Sequence, residues 1–493
     1  MKKRSSGVLL HISSLPGEFG IGDLGKGAYA FLDFLEASKQ KNWQILPIGI
    51  TGYGDSPYQS FSAFAGNPYF IDLQELIDAG YLDSKSVKKA HLGKHKHKVD
   101  YEHLYFHKMP LLRAAYETAK DTIRPELDLF YKAEKIWLED FALYMAIKAE
   151  NDNKSWLHWA PGYENRHTEA VDAFKKTHES EIYFWVFTQY YFYKQWRALK
   201  AEANRRGISI IGDLPIYVAE DSADVWANPE YFKLTQFFRP VCVAGCPPDA
   251  FSETGQLWGN PIYNWDQMEK ENYAWWIRRI SHSLELFDVV RIDHFRGFEA
   301  YWEIPYGDPT AENGIWTKGP GKALFKVIQE ELGDVNIIAE DLGYLTQEVI
   351  DLREYTGFPG MKILQFAFDA REESDYLPHN YSENFVAYTG THDNETVVGW
   401  MDQVAKADRD FAIDYLKLDR SEGYNWGFIR GVWSSTAYMA IAQMQDFLGL
   451  DNKARMNFPS TLGGNWLWRI TEKDLSESLA EKMARITKLY GRA

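Results

Sequence analysis

Short apolar, β-branched runs along this chain stop repeatedly at an acidic residue and give way to a polar or glycine-rich loop. Ile208 to Ile211 leads to Asp213, Val289 to Ile292 to Asp293, Ile337 to Ala339 to Glu340 and Asp341, and Phe385 to Thr391 to Asp393. Four further strand-like runs, Gly7 to Ile12, Trp43 to Ile48, Met361 to Phe366 and Tyr438 to Met444, bring the set to eight. Helix-period stretches lie between them, such as Tyr29 to Glu36. Another begins at Thr346, carries Glu348 in its first turn and stops before Gly357-Phe358-Pro359-Gly360. Alternating strands and helices imply an α/β fold with parallel strands and right-handed crossovers. A count of eight favours a closed (β/α)8 TIM barrel over an open doubly wound sheet. Ligands meet such a barrel at the C-terminal strand ends, which is where the acids fall.

The spacing predicts one catalytic barrel spanning 1–493 with two insertions. Residues 74–205, between the second and third strands, are rich in Lys, Glu and aromatics, with helical periodicity from Phe130 to Ala149. Within them, Asp83 to Asp100 holds six lysines and three histidines, including His95-x-His97, and reads as a charged solvated loop rather than a metal fragment. Residues 215–287, between the third and fourth strands, are dense in Pro, Gly, Asn and Trp and read as a structured loop covering the active site. After Trp468, Thr471-x-x-Asp474 and then Leu475, Leu479, Met483 and Ile486 predict a closing helix, with no room for a C-terminal β-sandwich.

Composition narrows the function. Of 493 residues, 54 are Lys or Arg and 70 are Asp or Glu, a net charge of −16 that leaves no basic surplus for a nucleic-acid backbone. With 45% apolar and 25% charged residues, wholesale disorder is excluded. No apolar run approaches the roughly 20 residues of a membrane span. Met1-Lys2-Lys3-Arg4 is followed by too short an apolar stretch for a signal peptide, and Cys242 and Cys246 are too few for a disulfide framework, so a reducing cytoplasm is expected. Aromatic residues make up 16% of the chain. That surplus fits a large aromatic core, and equally a groove in which rings stack on the apolar faces of sugars.

Cleaving a glycosidic bond needs two carboxyl groups, one protonated to assist departure and one ionised to attack or to activate water. Asp293, Glu340 and Asp393 end three different strands at one rim. A single strand-end acid is as readily a cap for the next helix; three together point to chemistry. In Arg291-Ile292-Asp293, period-two alternation places Arg291 and Asp293 on one face, where the guanidinium keeps the carboxylate ionised as a nucleophile requires. Adjacent side chains in Glu340-Asp341 point to opposite faces, so only Glu340 enters the mouth and Asp341 is expected to cap a helix. Crowding by Asp293 and Asp393 in an enclosed cleft should raise the pKa of Glu340, which suits an acid catalyst. Thr391-His392-Asp393-Asn394 offers donors and acceptors for sugar hydroxyls.

The segments Val289 to Gly297 (VVRIDHFRG), Ile338 to Gly343 (IAEDLG) and Gly390 to Asn394 (GTHDN) resemble the catalytic motifs of the α-amylase clan. Asp55-Ser56-Pro57-Tyr58-Gln59-Ser60, Ala65-Gly66-Asn67-Pro68, Pro247-Pro248-Asp249 and Gly255 to Pro261 (GQLWGNP) narrow the resemblance to the 4-α-glucanotransferases, or amylomaltases. It runs from Ser6 to Trp468 and leaves only the charged part of the helical insertion unmatched. The resemblance implies Asp293 as nucleophile, Glu340 as general acid then base, and Asp393 as stabiliser of the distorted sugar. It implies Arg291, His294, His392 and Asp213 as the hydrogen-bonding shell of the donor sugar, and Tyr58, Asp249, Gln256 and Trp258 as loop residues toward the acceptor. The implied substrates are α-1,4-glucans, with no cofactor or metal required. Cys246 departs from the small apolar residue expected before the paired prolines.

Three other readings compete. Gly20-x-Gly22-x-x-Gly25 matches a dinucleotide fingerprint but lacks the strand before it and the acid about 20 residues after it. An α-amylase-like hydrolase differs mainly in which acceptor wins, and the short C-terminus argues against it. A glucan-binding protein without activity is disfavoured by retention of all three acids.

Overall fold

The computed structural model describes residues 3–52, 54–248, 252–343 and 345–493. Its strands are β1 (Ser5–Leu9), β2 (Asn42–Gln44), β3 (Ser209–Leu214), β4 (Cys242–Cys246), β5 (Gln256–Pro261), β6 (Val289–Ile292), β7 (Ala300–Pro305), β8 (Ile315–Lys318), β9 (Ile337–Ala339), β10 (Gly360–Ile363), β11 (Phe385–Tyr388) and β12 (Met439–Gln443). Eight of them form one parallel sheet in the order β10-β11-β12-β1-β2-β3-β6-β9, the predicted TIM barrel. Leu9, Ile211, Ile338, Met361, Ile363, Val386, Tyr388, Met439 and Ile441 point inward and pack as a solid interior, so the barrel is a core and its function is confined to the rim. No β-sandwich follows β12.

The seam between β9 and β10 is closed by few bonds. Ala339 N–H donates to Pro359 O at 2.9 Å. Asp341 supplies the rest: Oδ1 accepts from Met361 N–H at 2.8 Å, and Oδ2 accepts from Arg353 Nη1 at 2.6 Å. The expected helix cap is therefore a barrel clasp. The next helix, Gln347–Thr356, instead has Thr346 at its N-cap.

Between β2 and β3 the described chain is helical, including Tyr101–Ala119, Arg124–Ala133, Lys135–Glu150 and Glu179–Arg205. The periodicity read from Phe130 to Ala149 is two helices broken at Glu134, whose φ of −99° and ψ of 12° leave the helical region. His95 and His97 lie in the stretch that pairs with the chain after Trp468: Arg469 N–H donates to His97 O at 3.0 Å.

The segment from Pro215 to Phe287 is less irregular than its composition suggests. It contains β4 and β5, which join β7 and β8 in a four-stranded antiparallel sheet of order β5-β4-β7-β8. Cys242 and Cys246 both lie in β4, and no disulfide joins them.

At the chain's end, the Thr471–Asp474 capping box closes only a 3-10 turn. The helix Glu477–Leu489 starts on its own cap, Ser476. Beyond it, fully buried Arg492 donates to the carbonyls of Ser5, Trp433, Ser435 and Ala437 under the barrel floor. Gly20 to Gly25 is a packed turn well after β1. A Cβ on Gly22 would stand 1.9 Å from Ile12 O, which accounts for that glycine without a nucleotide. None of the described helices is long and apolar enough to cross a membrane.

Because Asp341 holds the seam, Asp341→Ala should destabilise the fold by about 3–5 kcal/mol, leaving Arg353 and the Met361 N–H unpartnered. Asp341→Asn, which keeps an acceptor for Met361, should lose less. The urea midpoints of the two variants check this order.

Candidate active site

The rim site is built on cross-strand register. In the β3–β6 ladder Asp213 is the direct partner of Arg291, and in the β6–β9 ladder Ile292 is opposite Ala339. Asp213 thus lies within its strand rather than beyond it. Asp293 and Glu340 are the first residues past two neighbouring strands, their backbones tied by Glu340 N–H to Ile292 O at 3.0 Å. Neighbouring strands run about 4.8 Å apart, so the two acids leave the rim from adjacent backbone positions.

Arg291 is buried, and one of its nitrogens serves both acids. Nη1 lies 2.7 and 2.9 Å from the oxygens of Asp213 and 3.0 Å from Oδ1 of Asp293. Its pKa is held well above the usual value: burial opposes the charge, but the carboxylates of Asp213 and Asp293 outweigh it. Burial raises Asp293 to about 6, with Arg291 pulling against it.

Glu340 is raised further, to about 7. Burial is the first cause, and Asp293 adds to it while Arg291 and two backbone donors oppose it. Those donors are Leu342 N–H to Oε1 at 2.9 Å and His294 N–H to Oε2 at 2.7 Å. The second bond needs His294 in the left-handed region, at φ 51° and ψ 48°, a strained conformation for a residue with a Cβ. The expected elevation of Glu340 is present, but the leading cause is burial rather than crowding by its fellow acids.

Asp393 sits on the far side, in the loop after β11. Burial alone would raise its pKa, but His392 and Asn457 outweigh burial and hold it well below the usual carboxylate range. His392 Nε2 lies 3.3 Å from Oδ2, and Asn457 Nδ2 donates to Oδ1 at 2.6 Å. Arg455 Nη2 donates to the Asp393 carbonyl at 2.6 Å. For His392, burial lowers the pKa but Asp393 reverses that, so the net shift is upward. Tyr58 joins the two sides: its hydroxyl donates to Asp213 Oδ2 at 2.7 Å and stands 3.5 Å from His392 Nδ1. The Tyr58 ring stacks on His392 at 5.1 Å and leans on Trp466 at 5.9 Å.

Trp258 forms another wall, its ring edge-on to that of His294 at 4.8 Å and its Nε1 donating to Gln256 Oε1 at 3.1 Å. Burial lowers His294 to about 3, so its imidazole is neutral, and its buried Nε2 has no hydrogen-bond partner among the described residues. A buried polar atom of this kind is matched by a ligand hydroxyl or water.

The structure brings together Asp293, Glu340, Asp393, Arg291, His294, His392, Asp213, Tyr58, Gln256 and Trp258; Asp249 lies outside the described residues. Thr391 and Asn394 bond to each other. Asn394 Oδ1 accepts from Thr391 N–H at 2.8 Å and Thr391 Oγ1 at 2.9 Å, so the pair builds the turn beneath His392 and Asp393. Sequence reasoning missed Asn457, Arg455 and Trp466, which contact the site from a segment after the last strand.

Comparison with known proteins agrees with this geometry. The profile of the 4-alpha-glucanotransferase family matches residues 10–475. The chain belongs to the 4-α-glucanotransferase family. Among relatives, a 4-alpha-glucanotransferase of Clostridium butyricum is 53% identical over 98% of this chain and 100% of its own length. One from Thermus thermophilus is 49% identical over 96% of both chains. The solved amylomaltase of Streptococcus agalactiae, in complex with acarbose, superposes with a TM-score of 0.97 at 44% identity over the whole of both chains. The amylomaltase of Corynebacterium glutamicum, 19% identical, shares the fold, with a TM-score of 0.80 over 98% of this chain and 75% of its own.

In this 4-α-glucanotransferase family member, Tyr58→Phe keeps the ring stack and removes only the donor to a buried carboxylate. A hydrogen bond to a charged group contributes about 1.5–3 kcal/mol. The melting temperature should fall with the loss of this bond, and initial rates should show transferase kcat/KM reduced about ten- to hundredfold.

Proposed function

We propose that the chain transfers segments of α-1,4-glucan to the 4-hydroxyl of another glucan or of glucose, by a retaining double displacement through a glycosyl ester of Asp293. The observation that carries this reading is the pair of acids on neighbouring strand ends. Retaining chemistry needs carboxyls about 5–5.5 Å apart, and two acids in register at the ends of adjacent parallel strands are suited to that separation. Their different environments divide the labour: Asp293 lies against Arg291, whereas Glu340 holds a proton to higher pH.

In the first step an Asp293 oxygen attacks the anomeric carbon. The glycosidic C–O bond breaks, its electron pair stays with the departing oxygen, and that oxygen takes the Glu340 proton. In the second step the 4-hydroxyl of the acceptor attacks the same carbon and gives its proton to the Glu340 carboxylate. Asp293 then leaves as carboxylate, and the α configuration is restored. Asp393, held ionised, supports the distorted sugar and the positive charge that develops on it. His294 Nε2 and His392 are placed to bind hydroxyls of the donor sugar, and Gln256 stands on the acceptor side. The walls formed by Tyr58 and Trp258 hold a sugar acceptor in place and restrict water, which favours transfer over hydrolysis. The reduced thiols of Cys242 and Cys246 suit a cytoplasmic setting.

Incubation with maltotriose, followed by chromatography across pH, tests both function and acid assignment. Longer oligosaccharides and glucose are expected; hydrolysis products alone would contradict transfer. Asp293 must be ionised, so the rate falls as pH drops through about 6. Glu340 must be protonated, so the rate falls as pH rises through about 7. The profile should be a narrow bell with apparent values belonging to the coupled pair.

A further inference from the structure

Strand β5 carries Trp258 along the edge of the four-stranded sheet, with β4 as its only strand neighbour among the described residues. Its ladder is interrupted where the ring is attached. Val243 pairs with Pro261, Gly245 with Leu257 and Cys246 with Gln256, with a register shift between Val243 and Gly245. Trp258, Gly259 and Asn260 therefore have no ladder partners, and Gly259, at φ +79°, lies at the centre of the gap. Ladder pairs flank this bulge, and holding the residues within it falls to other contacts.

The side chain next to Tyr58 takes over that task. Gln59 Nε2 donates to Asn260 Oδ1 at 3.1 Å and lies 3.4 Å from the Trp258 carbonyl oxygen. Asn260 Nδ2 returns toward Gln59 Oε1 at 3.5 Å and donates to Val218 O at 2.8 Å. Asn260 is buried, so its amide has little water to substitute for a lost partner. Two carboxamides 201 residues apart thus join the loop bearing Tyr58 to the unladdered stretch bearing Trp258.

We infer that Gln59 and Asn260 are positioning residues that hold the Trp258 wall against the Tyr58 loop and so set the ratio of transfer to hydrolysis. Neither side chain is assigned a contact with the reacting atoms. The inference rests on the transferase reading above and deepens it by naming what keeps water from competing with the acceptor. When the bridge is lost, the edge of β5 loosens and admits water to the glycosyl ester, while Asp293, Glu340 and their partners remain in place.

The test is the partition ratio, measured with maltotriose as new reducing ends formed per transfer event, in wild type, Gln59→Met, Asn260→Ala and the double variant. Gln59→Met keeps the bulk of a half-buried side chain and removes both amide bonds, so it carries the test even if Asn260→Ala folds poorly. Each single variant is expected to raise hydrolysis per transfer threefold to tenfold, the effect of about one hydrogen bond. The double variant should be no worse than the larger single, because both changes break one bridge. If transfer and hydrolysis fall in proportion and the Gln59→Met ratio matches wild type, the bridge is merely structural and the inference is overturned. Absence of transfer by the wild type would instead sink the transferase reading itself.

Discussion

A single buried guanidinium organises the mouth of this barrel. Arg291 pairs with both Asp213 and Asp293, and the rest of the site extends from it as a chain of ion pairs and hydrogen bonds. Asp213 accepts from Tyr58, Tyr58 faces His392, and His392 pairs with Asp393. Each charge has the opposite charge as a neighbour, which is the condition under which ions persist in a poorly solvated cleft. Removing Arg291 would leave the buried carboxylate of Asp213 uncompensated, and the contacts through Tyr58 tie the position of Asp293 to residues on the opposite rim.

Barrel topology makes this arrangement possible. The β3–β6–β9 run places Asp213, Arg291, Asp293 and Glu340 on or just past three consecutive strands in register, whereas the strands of the second sheet lie between them in the chain. Because Glu340 is gripped by the backbone of His294, its environment depends on a strained residue immediately after Asp293. Asp293 and Glu340 are thus coupled through one peptide unit as well as through space, and they still titrate apart.

The pattern of strands stopping at acids was legible because a barrel concentrates its chemistry at one rim, and period-two alternation identified the Arg291–Asp293 pair. Strands β7 and β8 left no such mark. Ala300–Pro305 mixes Trp, Glu and Pro, and Ile315–Lys318 is largely exposed, so neither shows a core-facing run. Asp341 was read as a cap because its partners, Met361 and Arg353, are local only across the closed seam. Asn457, Arg455 and Trp466 lie in a segment without periodicity, and only the folded chain brings them to Asp393 and Tyr58. The same holds for Gln59 and Asn260, ordinary amides until the two walls meet.

The central claim is that the acid beside Arg291 is the one that becomes covalently attached to sugar. A 5-fluoro-α-maltosyl fluoride slows turnover of the intermediate, and mass spectrometry of the quenched, digested protein locates the ester. The account predicts a glycosyl adduct on the peptide containing Asp293. An adduct on Asp393 or Glu340, or turnover with retention and no adduct on any acid, would contradict it.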